Sequence, residues 1–400
     1  MAEQDIYGGR LATGSAPLEA AAQHLPHTSG AEQDLYGQHF NSVVDRAKER
    51  IHQHTQHIPN ARNAGTGAEQ DLYGQHFSPA PSVGTVGLLQ STVLPSFTFH
   101  TAFSAIAYGI ARYTDRAEGK DWLWPTGMTA NAWWSAVGTR VVYDGLSLPA
   151  AWSSLSYSEK LLLGGVTAWG VRLFQRIASR SVQRGKDDPR YDDLKKEPGF
   201  WNKALHTMFL PEAVAQTFIS LPFVLPFRET GESMIASPVT SSGHIYHSLA
   251  VFLFSTGFAL EVLADHRLAS HKKSQSTGLC RDGVWSIVRH PNYLGDALIH
   301  ASFPVLLLGA GLFHPLAALG PIVNYVFLRF IGGDRQNEQS QEERYTKDEP
   351  RKAAEFQQYR EEKNSFWPNA RELCNKWSWT VLLAGAGGVL LEQGVRSVFA

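Results

Sequence analysis

The residues best suited to chemistry stand together at positions 289–293, Arg-His-Pro-Asn-Tyr, here called the RHPNY turn. Pro291 suits the first turn of a helix, where a missing N–H costs nothing. The N-terminus of that helix, with Arg289 and His290 beside it, favours an anion. The Asn292 amide can both donate and accept hydrogen bonds. The turn therefore predicts a site for a phosphate-bearing cofactor; a basic flank that only closes a loop is the alternative interpretation.

The helix that carries this turn continues into an apolar run. Positions 297–328 contain no Asp, Glu, Lys or Arg. Because charged side chains are costly in a bilayer, such a run predicts membrane-spanning helix. About 20 residues cross the hydrocarbon core, so the run is too long for one helix, and His314-Pro315 supplies the break for a helical hairpin.

Similar runs along the chain predict an all-α fold, a multi-span transmembrane helical bundle of about seven or eight spans. We expect a disordered polar tail over 1–84, a membrane-embedded domain over 85–368 and an extra C-terminal hydrophobic helix over 369–400. The candidate spans are 88–110, 124–143, 160–180, 206–227, 246–264, 292–313, 315–333 and 377–391.

The basic residues of the connections test this arrangement. Lys and Arg concentrate in 112–120, 172–203, 266–289 and 335–376. With the spans above, all four stretches fall on one side of the membrane, as positive-inside ordering requires. We therefore expect an integral membrane protein of the endoplasmic reticulum with the RHPNY turn and the other catalytic loops in the cytosol.

The N-terminal tail repeats a short unit. Residues 2–8 read AEQDIYG, and AEQDLYGQHF occurs at both 31–40 and 68–77. Unequal spacing excludes a solenoid, whose repeats must stack at a fixed period. Either the repeats bind a protein partner as linear motifs, or they are a duplication without a role. The histidines at 52, 54 and 57 are more simply incidental than metal-binding.

Composition excludes several classes of function. The net charge of −1 gives no bulk field for nucleic acid. The two cysteines, Cys280 and Cys374, lack CxxC spacing, so neither a disulfide scaffold nor a Cys-based zinc site is predicted, and we expect no metal. The Gly-rich stretch 384–388 follows no strand, and small residues in an apolar helix favour close helix packing over nucleotide binding.

Further charged residues flank the predicted spans. Arg172, Arg176, Arg180 and Arg184 recur every fourth position and line one stripe of a helix. They form either a track for phosphates or, the interpretation we favour from sequence, an anchor at lipid headgroups. Glu261 lies deeper in the fifth span, where an unpaired carboxylate is expensive. We expect Arg289 or Arg329 to pair with it.

A polar segment over 329–368 completes a recognisable order of motifs. Together with the RHPNY turn, the chain resembles the steroid 5-alpha-reductase-like C-terminal domain superfamily over roughly residues 120–368. Isoprenylcysteine carboxyl methyltransferases have a similar turn, so the turn alone is less specific than the whole order. The matching residues are Trp169-Gly170-Val171-Arg172-Leu173, Asp187-Asp188-Pro189-Arg190-Tyr191, Gly257-Phe258, Glu261, Asp265, Glu338, Glu342, Glu343, Arg344, Tyr345, Phe356 and Tyr359.

The resemblance implies a cofactor site for NADPH. Asp265 and Lys272 match residues that contact the nicotinamide dinucleotide, and Asn292 would bind its carboxamide. Gln339 and Ser340 replace the basic pair usual in the family, which leaves the choice between NADPH and NADH open. The remaining residues expected at the cofactor are Arg289, His290 and Tyr293 in the turn, Arg344 at a phosphate, and Tyr345 and Tyr359 stacked on adenine or closing the site.

The reaction implied is reduction of a C=C bond conjugated to a carbonyl in a lipophilic sterol, polyprenyl or fatty-acyl substrate. Asp296, where the family usually has Glu, is the tentative catalytic residue. The catalytic acid itself has no matched position, and Tyr143-Asp144 and His300 are weaker candidates. Two other functions stay open: an S-adenosylmethionine-dependent methyltransferase, and a non-catalytic membrane scaffold.

Overall fold

The computed structural model describes residues 87–228, 243–274 and 278–399. Within these ranges the chain is α-helical and forms no β-strand, as predicted. The tail over 1–84, with its repeats and histidines, lies outside the described residues, so its predicted disorder and its protein partner stay predictions.

Ten helices are numbered in chain order, and shorter helical turns connect them. They are α1 (Leu94–Thr114), α2 (Gly119–Trp133), α3 (Tyr157–Arg184), α4 (Leu210–Ile219), α5 (Gly243–Lys273), α6 (Pro291–Ala310), α7 (Leu319–Val326), α8 (Asp334–Asp348), α9 (Pro350–Glu362) and α10 (Lys376–Phe399). A π-helical turn, Leu89–Val93, precedes α1, and Trp134–Gly138 and Thr139–Val142 continue α2. The short ones are Leu148–Ser153, Pro189–Tyr191, Asp192–Lys195, Phe200–Ala204, Leu205–Phe209, Leu221–Arg228, Gly283–Ser286, Pro315–Ala318, Phe327–Ile331 and Ala370–Cys374.

Four helical segments of the described chain are long and apolar enough to cross a membrane: Gly243–Lys273, Pro291–Ala310, Pro315–Asp348 and Lys376–Val398. A fifth is possible if Phe200–Ile219 and Leu221–Arg228, bent by 56°, form one broken span. All eight predicted segments are largely helical. By length and composition, however, the described chain has four candidate spans, or five with the broken pair, rather than seven or eight. In α3, for example, four arginines interrupt the apolar surface.

The helical hairpin forms where the sequence predicts it. Helix α6 ends at Ala310, and Gly311 adopts the left-handed conformation (φ 69°) that glycine takes after a helix C-terminus. His314 Nδ1 accepts a hydrogen bond from the Leu316 N–H at 3.1 Å and caps the turn Pro315–Ala318. The chain then returns through α7.

The centre of the bundle is the contact between α5 and α6. A Cβ atom on Gly257 would lie 2.5 Å from the Gly295 carbonyl oxygen, and one on Gly295 would lie 2.5 Å from the Gly257 carbonyl oxygen. The two backbones therefore touch, as small residues allow in membrane helices. Helix α10 approaches the other side of α5 in the same way, with Gly385 beside Thr256 and Gly388 beside Ser255. The predicted packing role of the Gly-rich stretch is confirmed.

We predict that Gly257→Ala destabilises the protein strongly, because its Cβ would meet backbone rather than a movable side chain. Overpacking typically costs about 1–3 kcal/mol, and a backbone collision should reach the upper end. Thermal unfolding in detergent measures the effect. Gly387→Ala on α10, where an added Cβ has no neighbour within 4 Å, is the matched control; equal melting temperatures for the two variants would contradict the contact.

Candidate functional site

Asp296 lies one turn inside α6 and is held from three directions. Its Oδ1 accepts a hydrogen bond from Trp169 Nε1 at 2.8 Å, and its Oδ2 accepts one from Asn324 Nδ2 at 2.8 Å. The Nδ1 of His300 lies 3.4 Å from the same Oδ2. The side chain is buried. Helices α3, α6 and α7 thus fix one carboxyl group in the interior.

A second set of charges lies beside it on α3 and α5. Arg172 Nη1 donates to Glu261 Oε2 at 2.8 Å, and Nη2 donates to the Glu261 carbonyl oxygen at 2.8 Å and to Asp265. Arg176 Nε lies 3.1 Å from Asp265 Oδ1. The prediction that Arg289 or Arg329 pairs with Glu261 is wrong. Arg172 is the partner, because the arginine stripe of α3 faces α5. Asp265 is engaged by this stripe and so belongs to the same group.

These residues, Arg172, Arg176, Glu261, Asp265 and Asp296, are called the acid group. Glu261 and Asp296 lie within electrostatic range of each other, and the group as a whole sets two guanidinium groups against three carboxyl groups. Pairs of neighbouring carboxyl groups are a common arrangement in general acid catalysis.

Two polar atoms next to the acid group have no hydrogen-bond partner although they are buried. They are Nε2 of His300 and Oδ1 of Asn324. Buried unsatisfied atoms are costly and are frequent at functional sites. Tyr143, by contrast, is exposed at 74%, and Asp144 is exposed just beyond the helical segment. Neither contacts the acid group, so of the weaker candidates for the catalytic acid only His300 lies beside it.

A group of cations without counter-ions forms where α3, α5 and α8 meet. Lys272 lies within electrostatic range of Arg180, Arg344, Arg176 and Arg184. Arg176 is paired with Asp265, and Arg184 Nη1 lies 2.5 Å from Asp188 Oδ2. Among the described residues, no carboxylate lies within ion-pair distance of the other three. Arg180, Lys272 and Arg344 are called the cation group.

Like charges gathered in this way repel one another. All three side chains of the cation group are exposed. A bound anion would relieve their repulsion. The role of the arginine stripe, as a phosphate track or as an anchor at lipid headgroups, stays a prediction.

Arg289 and His290 of the RHPNY turn are fully engaged by protein. Arg289 makes a bidentate pair with Glu338 at 2.8 and 3.0 Å and donates to the Lys363 carbonyl oxygen. His290 Nε2 lies 2.9 Å from Glu338 Oε1. The backbone N–H groups of Arg289 and His290 donate to the carbonyls of Asn364 and Ser365. The two residues attach the C-terminal polar segment to α6, which leaves neither side chain directed to a cofactor phosphate.

Asn292 and Tyr293 differ from their neighbours in the turn. The Asn292 Oδ1 is buried without a hydrogen-bond partner. Tyr293 stacks on His290 with ring centroids 5.2 Å apart, and its hydroxyl accepts a hydrogen bond from Asn337 at 3.4 Å. Tyr293 also lies within electrostatic range of Arg180. The turn thus holds one buried amide oxygen that no protein donor satisfies.

Tyr345 and Tyr359 are structural in this fold. Tyr345 is 8% exposed and packs edge-on against Phe356, at a centroid distance of 6.0 Å, between α8 and α9. Tyr359 is 5% exposed, and its hydroxyl donates to the carbonyls of Trp285 and Val288. Because both rings are buried, neither is available to stack on adenine as expected. Tyr345 instead supports Arg344, whose guanidinium lies 5.2 Å from the ring centroid.

The residues that the sequence reading passed over are Trp169, Arg172 and Asn324. Trp169 belongs to a motif but had no predicted role, and Arg172 was predicted only as a member of the arginine stripe and not as the partner of Glu261. Asn324 is a lone amide in the uncharged run over 297–328. A polar side chain inside a predicted span is itself a signal, because it is expensive there without a partner.

One set of metal-ligand types also comes together, at the end of α5. Ligand atoms of His271, Cys280 and Asp282 lie within 4.8 Å of one another. His271 Nε2 is already hydrogen-bonded to the Gly278 carbonyl oxygen at 2.9 Å, and both oxygens of Asp282 face Arg267. His271 and Asp282 are thus already engaged, and the Arg267 guanidinium occupies the Asp282 carboxylate. The three residues therefore do not form a preformed cation site.

Asp187 and Asp188 lie in the loop that follows α3. The Asp187 carboxylate accepts hydrogen bonds from the backbone N–H groups of Ala117 (2.8 Å) and Glu118 (3.0 Å). The Asp188 carboxylate accepts a hydrogen bond from Arg190 and forms an ion pair with Arg184. Burial raises the pKa of Asp188, but the hydrogen bond and charge of Arg190, together with the charge of Arg184, outweigh burial and lower this pKa to about 2. This loop keeps Arg184 beside the cation group.

Residues 107–363 match a family described as "Protein of unknown function (DUF1295)". No curated protein and no solved structure matches the chain significantly. The family match covers well over half of the chain, and the chain therefore belongs to this family.

We predict that Asp188→Asn costs about 2 kcal/mol at pH 7, since its carboxyl pKa falls from 3.8 to about 2 on folding. A depressed carboxyl pKa contributes stability above about pH 4, and the contribution is lost as pH falls toward 2. The gap between wild-type and variant melting temperatures should therefore close between pH 5 and pH 2. Asp193→Asn, at an exposed carboxylate, serves as the control, and a gap independent of pH would refute the assignment.

Proposed function

We propose that this member of the DUF1295 family is a membrane oxidoreductase that reduces a C=C bond conjugated to a carbonyl in a lipophilic substrate. The cofactor would be a reduced nicotinamide dinucleotide, NADPH or NADH. The observation that carries the proposal is the cation group, because Lys272 lies within electrostatic range of Arg180 and Arg344 and none of the three pairs with a carboxylate of the described residues. A pyrophosphate is the anion that such a site fits.

The same observation separates the dinucleotide from S-adenosylmethionine. S-adenosylmethionine carries a positive sulfonium and a single carboxylate, so it brings little negative charge to Arg180, Lys272 and Arg344. A dinucleotide brings two or more phosphate charges. Like charges on the protein and the ligand would oppose binding of the sulfonium, which makes the methyltransferase the less suitable function.

The RHPNY turn fits the other end of such a cofactor. The buried, unpartnered Oδ1 of Asn292 can accept a hydrogen bond from a carboxamide N–H. Arg289 and His290 hold that amide in place through Glu338. When bound, a reduced nicotinamide supplies a hydride to the β-carbon of the conjugated double bond.

The acid group fits the second half of the reaction. Reduction adds a proton as well as a hydride, and the carboxyl pair of Glu261 and Asp296 can donate one, either to the carbonyl oxygen or to the α-carbon. Asp296 lies four residues from Asn292 on one helix, about 6 Å along its axis. Trp169 and Asn324 fix its two oxygens, so it is the better placed donor of the pair. His300 borders it and can relay the proton.

The setting suits a lipophilic substrate, since apolar helices that can span a bilayer carry both groups. Sterol, polyprenyl and fatty-acyl derivatives all partition into lipid. We further propose that the membrane is the endoplasmic reticulum and that the cation group faces the cytosol, where the basic connections concentrate and where dinucleotides are available. The resemblance to steroid 5-alpha-reductase-like proteins points the same way.

We predict that NADPH or NADH raises the melting temperature of the purified protein in detergent by mass action. Lys272→Ala and Arg344→Ala should each weaken binding about tenfold or more, because a charge-assisted contact contributes about 1.5–3 kcal/mol. Lys273→Ala removes the next lysine along α5, which does not belong to the cation group, and should bind normally. Stabilisation by S-adenosylmethionine alone would establish the methyltransferase instead, and no stabilisation by any of the three would favour a scaffold.

We predict that Asp296→Asn lowers turnover of a lipophilic enone by about 10²–10⁴-fold, the usual contribution of a general acid. The amide keeps the shape and can still accept from Trp169, so dinucleotide-induced stabilisation should persist. Asn324→Ala, which removes one supporting hydrogen bond, should have a smaller effect. Full turnover by Asp296→Asn would exclude this carboxyl as the proton donor.

A further inference from the structure

A cavity of about 240 Å³ lies between α3, α5 and α6. Glycine and alanine on α3 make room for it, and the rings of Phe254 and Phe303 form its inner wall. Its lining is apolar apart from one hydroxyl. The lining residues are Leu161, Gly164, Gly165, Ala168, Ala250, Val251, Phe254, Ser302, Phe303 and Leu306.

The cavity offers no polar group to a ligand. The single hydroxyl, that of Ser302, donates within its own helix to the Ile299 carbonyl oxygen at 2.6 Å. Gly164 and Ala168 are exposed and stand one turn apart on α3, so they line an opening at the surface. Because α5 and α6 are long and apolar enough to span a bilayer, this opening faces hydrocarbon. The ligand must therefore be apolar where it fits.

The position of the cavity relates it to the acid group. On α6, Phe303 follows Asp296 by seven residues, about 10 Å along the axis and away from the RHPNY turn. On α5, Phe254 precedes Glu261 by the same interval, and on α3, Gly165 precedes Arg172 by the same interval again. Phe303 also touches His300, with ring centroids 6.3 Å apart. The three helices thus carry a charged level and, two turns deeper, an apolar level.

The size of the cavity limits what fills it. A protein cavity of about 150 Å³ accommodates benzene, so by proportion 240 Å³ holds roughly ten carbon atoms. A fused-ring sterol nucleus has more carbon atoms than this. Part of a linear chain, whose remainder extends into the bilayer, fits both the volume and the opening.

We infer that this cavity binds an acyclic hydrocarbon tail of the substrate, so that the substrate is an open-chain enone of the fatty-acyl or polyprenyl kind rather than a sterol. That the reacting end of the ligand is an enone rests on the proposed function. With its tail at the apolar level, the carbonyl end of such a chain would lie toward Asp296 and the turn beyond it.

Photolabelling tests this without measuring turnover. The probe is a long-chain linear 2-enone with a diazirine near its methyl end, bound to the full-length protein in lipid nanodiscs. We expect label on 161–168, 250–254 and 302–306, displaced by an unlabelled linear 2-enone but not by a steroid 4-en-3-one. Gly164→Trp, which places an indole over the opening, should lose most of the label, whereas Gly387→Trp on α10, where an added Cβ has no neighbour within 4 Å, should keep it.

Three results would overturn the inference. The first is label on α10 as strong as the label on the cavity residues. The second is label that excess linear enone does not displace, as expected for a bulk lipid chain, and the third is better displacement by the steroid. Dinucleotide-induced stabilisation of Gly164→Trp is measured in parallel. If no dinucleotide stabilises the wild type while labelling behaves as expected, the oxidoreductase proposal fails and the chain site stands. If dinucleotides stabilise both proteins but labelling fails, only the chain site falls.

Discussion

The ion pair of Arg172 with Glu261 and Asp265 is the constraint on which the interior depends. Removing these charges from water is expensive, and the cost is offset only when each charge is paired and hydrogen-bonded. Arg172 meets the condition by bridging two carboxylates and a backbone carbonyl of α5. The pairing fixes the rotation of α3 against α5. Since α5 touches α6 at Gly257 and Gly295, it also fixes Asp296 beside Glu261.

From this constraint the rest of the site follows in levels along α6. The RHPNY turn stands at its N-terminus with the cation group nearby, the acid group lies one turn inside, and the apolar cavity lies two turns deeper. The three levels differ in environment, from charged to ion-paired and buried to apolar. They follow one another over roughly 20 Å of α6.

The motif residues divide into two kinds once their contacts are known. Arg289, His290, Tyr345 and Tyr359 are engaged by protein and hold the C-terminal polar segment against the bundle. Asn292, Lys272 and Arg344 keep unpaired polar or charged atoms. The second kind has the capacity to bind a ligand, because satisfied donors have little left to offer. A motif read as one binding site is therefore largely a scaffold that positions a few free groups.

Much of the fold could be predicted from the sequence, because hydrophobicity over about 20 residues and the position of His314-Pro315 depend on local chemistry alone. The all-α class, the hairpin and the packing role of the Gly-rich stretch are of this kind. The partner of Glu261 could not be predicted. Arg172, Arg289 and Arg329 have the same chemistry, and only the rotation of α3 against α5 selects one of them.

The same reason separates the free cations from the paired ones. In the sequence, Arg176, Arg180 and Arg184 are equivalent members of one stripe. In the tertiary structure Arg176 pairs with Asp265 and Arg184 pairs with Asp188. Arg180 has no such partner and belongs to the cation group with Lys272 and Arg344. Residue types and spacing thus determined which charges were present, whereas pairing, a matter of distances between helices far apart in the chain, decided which of them remain available.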